Sequence, residues 1–166
     1  MKKILFAVSC LLLCAAAQAA GVEGLWQTID EDGSPKSVVS VYEKDGKIYG
    51  RIVFTYEKME DGSVKKAPAS KAAVNVDGAP SYEGLLIIWN LQEKKGEYSG
   101  GNIMDPASGT TYKANMKLDE GKLKVRGYVG ISLAGRTQTW VPYTEKITVP
   151  DFKTMDIVIP HKAKKK

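Results

Sequence analysis

Apolar residues recur along this chain with a period of two, interrupted by short glycine-bearing turns, and no other feature constrains its fold as strongly. From position 47 to 54, Ile48, Gly50, Ile52 and Phe54 share one face, and Lys47, Tyr49 and Arg51 share the other. Tyr112, Ala114, Met116 and Leu118 oppose Lys113, Asn115 and Lys117, while Leu123, Val125, Gly127 and Val129 oppose Lys122, Lys124 and Arg126. A helix would repeat its apolar positions every 3–4 residues or so, so this alternation reads as half-buried strands. Asp45-Gly46, Asp119-Glu120-Gly121 and residues 106–109 break the runs where glycine can supply the positive φ of a hairpin turn.

Strands are predicted at 25–29, 37–44, 47–56, 85–91, 98–104, 110–118, 122–129 and 136–143. Eight or slightly more strands in hairpin order point to an all-β, antiparallel up-and-down barrel whose first and last strands pair. A Greek-key sandwich shares this periodicity and stays open as the alternative. Pairing the ends would bring Gly24-Leu25-Trp26 beside the run from Arg136 to Trp140. An arginine over an indole gains cation–π energy while its donors tie off carbonyls. Gly24, Trp26, Arg136 and Trp140 are therefore expected to close one end. Residues 57–83 show no convincing strand and contain Pro68 and Pro80, with room for one short helical turn at 69–74. A connection of that length is expected to act as a lid over the barrel mouth. Beyond residue 143, Pro150 and Pro160 flank the apolar patch Ile157-Val158-Ile159, expected to pack along the wall or add an edge strand.

The first 19 residues have the organisation of a cleaved secretory leader: Lys2 and Lys3, an apolar run over 4–17, then Ala17-Gln18-Ala19. A lipid-anchored reading would use Cys14, but Leu13 is large where a small residue is needed. The expected organisation is a leader over 1–19, a barrel over 20–143, and an extension with a basic tail over 144–166, located in the periplasm or outside the cell. Both cysteines, Cys10 and Cys14, belong to the leader. The exported chain would then have no disulfide, thiol nucleophile or cysteine metal site. Of 24 Lys and Arg against 19 Asp and Glu, two lie in the leader and four are Lys162, Lys164, Lys165 and Lys166. The barrel itself is thus close to neutral and lacks the basic, aromatic-interleaved stripe of a nucleic-acid binder. The terminal lysines read as a solvated tail, or as a weak contact with an anionic membrane surface.

Catalytic chemistry finds little here. His161 is the single histidine and lies in the basic tail, which leaves a serine or cysteine relay without a base. Asp105, before Pro106 at a strand end, reads as the cap of an Asx turn, with a catalytic acid or cation ligand as the other possibility. Neither a metal nor a cofactor is expected. Binding has more support. Gly50, Ala114 and Gly127 accompany Ile52, Phe54, Met116 and Val125 on faces expected to point inward; such small residues either open a cavity or let the sheet coil. Leu85 to Trp89 is apolar on both faces, to be buried under the lid or to line the mouth. Ile52, Phe54, Trp89, Met116 and Val125 are the candidate ligand contacts.

Several ordered motifs carry a resemblance. They are Gly24-Leu25-Trp26; Gly46-Lys47-Ile48-Tyr49-Gly50-Arg51-Ile52-Val53; Gly100-Gly101-Asn102-Ile103-Met104-Asp105-Pro106 with Gly109 and Tyr112-Lys113-Ala114; Leu123 to Gly130; and Arg136 to Trp140. Over roughly residues 24–141 the chain resembles a bacterial family of exported proteins known as a domain of unknown function. The resemblance implies a lipocalin-like, calycin-type barrel with a pocket for a small elongated or apolar molecule. It also implies that Gly24-x-Trp26 and the late Arg136 close one barrel end. No catalytic residue carries over, and the segment after Tyr143 extends past the resemblance. The leading expectation is a carrier of a small lipophilic molecule. A carboxylate-dependent envelope enzyme and an envelope-associated interaction module are the alternatives, and the oligomeric state stays open.

Overall fold

A computed structural model describes residues 21–164; the expected leader and Lys165 and Lys166 lie outside the described residues. Nine strands form: β1 (Gly24–Ile29), β2 (Pro35–Lys44), β3 (Lys47–Lys58), β4 (Val64–Lys66), β5 (Leu86–Lys94), β6 (Glu97–Asp105), β7 (Thr110–Asp119), β8 (Lys122–Tyr128) and β9 (Arg136–Pro142). Eight of them pair antiparallel with their chain neighbours, and β9 returns to β1, which closes an up-and-down barrel. The ninth, β4, is an addition to the far end of β3, where Tyr56 faces Lys66. It lies in the stretch expected to have no strand. Residues 69–74 form turns and an isolated bridge from Ala72 to Ser81 rather than a helical turn, since the backbone there bonds across to residues 80–82.

The two barrel ends differ in their connections. At one end β2–β3, β5–β6 and β7–β8 are joined by the pairs Asp45-Gly46, Lys95-Gly96 and Glu120-Gly121, all with positive φ. Two such residues in succession give the tight hairpin that matches strand twist. At the other end lie the longer connections, residues 30–34, 59–85, 106–109 and 129–135. The tight end is packed shut: Val22, Val41, Ile48, Leu91, Met116 and Leu123 are all buried, and Trp26 donates its indole N–H to the Val22 carbonyl at 2.9 Å.

The wall is not equally covered all round. After β9 the chain runs outside β2 and β3 as an irregular strap that stacks Phe152 on Tyr42, 6.2 Å between ring centroids. It ends against the long connection, with Lys162 bridging Val76 and the Ala163 N–H bonded to the Asn75 carbonyl. Arg51 pins it. This side chain is buried on the outer face and donates to the Asp156 carbonyl at 2.6 Å, the Gly84 carbonyl at 2.7 Å and the Tyr42 hydroxyl at 3.1 Å. The patch at 157–159 therefore packs along the wall instead of adding a strand, with Ile157 partly buried and Val158 exposed.

Candidate functional site: a cavity open at one barrel end

A cavity of about 880 Å³ occupies the half of the barrel with the long connections. Its depth is apolar: Ile52, Met104, Val125 and Trp140 line it and are almost fully buried. Beside them Thr28 and Ser37 form a buried polar pair joined by one hydrogen bond, their hydroxyl oxygens 2.7 Å apart. Its rim is charged and polar, with Asp30, Lys36, Lys71, Asp105 and Arg136 joined by Tyr82 and Gln138.

Strand β9 carries much of this gradient. Trp140, Gln138 and Arg136 occupy alternate positions and all line the cavity, whereas Thr137 and Thr139 accept from Arg126 and Lys124 on β8. The Gln138 side-chain oxygen accepts the Trp140 indole N–H at 3.1 Å and holds the ring in place. The long connection contributes Lys71 and Tyr82, tied together by the bond from the Tyr82 N–H to the Lys71 carbonyl. Burial, then the negative charge of Asp105, pushes the Tyr82 hydroxyl up, so it remains a neutral donor. Asp105 caps its turn, accepting from the Ala107 N–H at 3.1 Å and the Ser108 hydroxyl at 2.7 Å. Among the described residues, no group of three or more His, Cys, Asp or Glu is placed to hold a metal ion.

Residues 24–141 match a bacterial family described as "Uncharacterized protein conserved in bacteria (DUF2147)". The chain belongs to the DUF2147 family. Its structure is similar to that of protein HP1028 from Helicobacter pylori, described as belonging to the lipocalin family, with a TM-score of 0.58 and 24% identity over 79% of this chain and 94% of that one. At that identity the likeness shows the fold, a lipocalin-like barrel. No curated protein matches the chain.

The DUF2147 barrel brings together only part of the expected set of ligand contacts. Ile52 and Val125 line the cavity. Met116 sits opposite Val125 on β7 and is buried, but it does not reach the cavity, and neither does Trp89. Phe54 is on the outside. Opposite Val38 and Val39, β3 carries an extra residue, because Val39 pairs with Ile52 and Val38 with Phe54. That bulge changes the parity of the strand, and Phe54 packs edge-on against Tyr56 and Tyr143 beneath the strap. Unbroken alternation from Ile48 through Ile52 would place it on the inward face.

The expected closure splits in the same way. Gly24 and Trp26 lie at the tight end, but Trp26 pairs with Pro142 across the β1–β9 seam. Arg136, six positions back along β9, is roughly 20 Å away at a strand's rise per residue, on the open rim. Trp140, expected at the closure, lies in the cavity wall with Leu123 as its cross-strand partner. The small residues also divide. A Cβ on Gly50 would stand 3.1 Å from the Ile88 side chain, so that glycine admits a neighbour, whereas Gly127 lines the cavity. The apolar run from Leu85 to Trp89 is wholly buried, and only Ile87 of it borders the cavity. Arg136 and Gln138 reach the cavity through the register of β9 against β1, and Lys71 through the connection between β4 and β5; local sequence pattern encodes neither.

Proposed function

We propose that this DUF2147 protein is an exported binding protein that holds a small lipophilic or elongated molecule in its barrel and does no chemistry on it. The observation that carries the reading is the cavity itself, about 880 Å³, apolar in its depth and open at one end. That size falls within the roughly 300–1,000 Å³ of small-molecule sites. Affinity would come mainly from buried apolar ligand surface, about 25 cal/mol per Å² before the costs of binding. A carboxylate enzyme would have to use Asp30 and Asp105, the acids at the cavity, and both are committed to local donors. The leader fits a place in the periplasm or outside the cell. The exposed Lys162 and Lys164, with the lysines after them, fit a weak contact with anionic membrane.

Titration with the neutral fluorescent dye N-phenyl-1-naphthylamine tests the reading. The wild type is expected to bind it. Gln138→Trp, which fills the mouth from a solvent-exposed position, should abolish binding while leaving the circular dichroism spectrum intact. A wild type that leaves the dye unbound, or a variant that binds it equally well, would remove the carrier.

A further inference from the structure

We propose that the molecule carried is an amphipathic anion, its apolar chain lying against Trp140, Val125 and Ile52 and its acidic head group at the rim that carries Arg136 and Lys71. The inference rests on the carrier reading and specifies its ligand class.

The cavity changes character along its length. On β9 an indole, an amide and a guanidinium follow one another from depth to rim at positions 140, 138 and 136. Four residues of strand span roughly 13 Å, so a chain of that length would touch apolar surface at one end and the Arg136 cation at the other. Of the five charges at the cavity, three are locally occupied. Lys36 faces Asp30 at 3.9 Å, and Asp105 accepts two bonds from its own turn. Among the described residues, Arg136 and Lys71 make no salt bridge and donate no side-chain hydrogen bond, although both border the cavity. They come from independent elements, the start of β9 and the connection between β4 and β5. The planar fork of Arg136 suits a bidentate carboxylate or phosphate, and Lys71 supplies a second, mobile positive charge. Tyr82, whose N–H bonds to the Lys71 carbonyl, adds a neutral donor on the Lys71 side of the rim.

Displacement of N-phenyl-1-naphthylamine by three amphiphiles with the same chain decides the matter: palmitate, hexadecanol and hexadecyltrimethylammonium. Palmitate is expected to bind at least about tenfold more tightly than the other two, the scale of a charge-assisted pair. High salt should narrow the gap. Arg136→Gln combined with Lys71→Gln should bring palmitate down to the level of hexadecanol, with hexadecanol itself changing less than about twofold. Equal affinities that the double variant leaves alone, or a preference for the cation, would overturn the anion inference and leave the carrier standing. If neither the dye nor any of the three amphiphiles binds, the carrier reading fails and the inference falls with it.

Discussion

Strands β2 and β3 form a wall buried on both faces, while β7 and β8, with the same fold and nearly the same apolar content, are buried on one. From Ile48 to Phe54 every residue of β3 is buried. On β7 and β8 burial alternates, with Ala114, Met116, Leu123 and Val125 inside and Lys113 and Lys117 in solvent. The difference comes from the strap, which covers Tyr42, Arg51 and Phe54 and leaves the opposite wall wet. Alternation identifies the inner face only where the outer face is solvated. Where something packs outside, burial loses its direction, and a bulge can reverse parity unnoticed.

The largest test of this contrast compares outward residues on the two walls. Phe54→Ala is expected to cost about 3–5 kcal/mol in urea unfolding, as for a core aromatic. Lys113→Ala, on the outer face of the bare wall, should stay within about 0.5 kcal/mol. Similar losses at both sites would erase the distinction between the walls.

A smaller effect isolates the strap. Arg51→Met keeps the bulk of the side chain but leaves the Gly84 and Asp156 carbonyls without their donor. Stability should fall by about 2–4 kcal/mol, and trypsin should cleave after Lys146 and Lys153 sooner than in the wild type. Undiminished protease resistance would mean that Phe152 and Ile157 hold the strap without the arginine.

The smallest concerns Glu23, whose carboxylate accepts the Glu43 N–H at 3.1 Å and meets Lys153 of the strap at 3.2 Å. The backbone bond first, and Lys153 after it, hold its pKa below the usual glutamate value. A depressed carboxylate stabilises the fold above its ordinary range and loses that contribution as pH falls through the folded value. Glu23→Gln should therefore cost under about 1 kcal/mol at neutral pH, and the difference should vanish in acid. A gap between the two proteins that persists in acid would assign the effect to packing.

The eight barrel strands were legible because each carries its own signal: alternation within the strand and a glycine turn beside it. Their closure was legible too, since hairpin order leaves the first and last strands as the available partners. The site was legible only in part. Ile52 and Val125 lie on regular stretches where parity can be counted from a turn. Phe54 lies past a bulge, and Arg136 depends on how far β9 slides along β1, which local pattern does not encode. Asn90, with φ of 62°, marks a further irregularity, in β5, that nothing in an otherwise apolar run announces. Arg51 had the appearance of a solvent residue on a polar face. Its burial depends on Asp156, 105 positions away in sequence.

The sequence by itself determined an all-β chain, its strands, its tight turns and an up-and-down order, because period and turn chemistry act over a few residues. Tertiary structure decided which end is open, which arginine reaches the rim and which wall the strap covers. Those outcomes depend on register and on contacts between distant segments, where a shift of one residue reverses every side chain and no local preference opposes it.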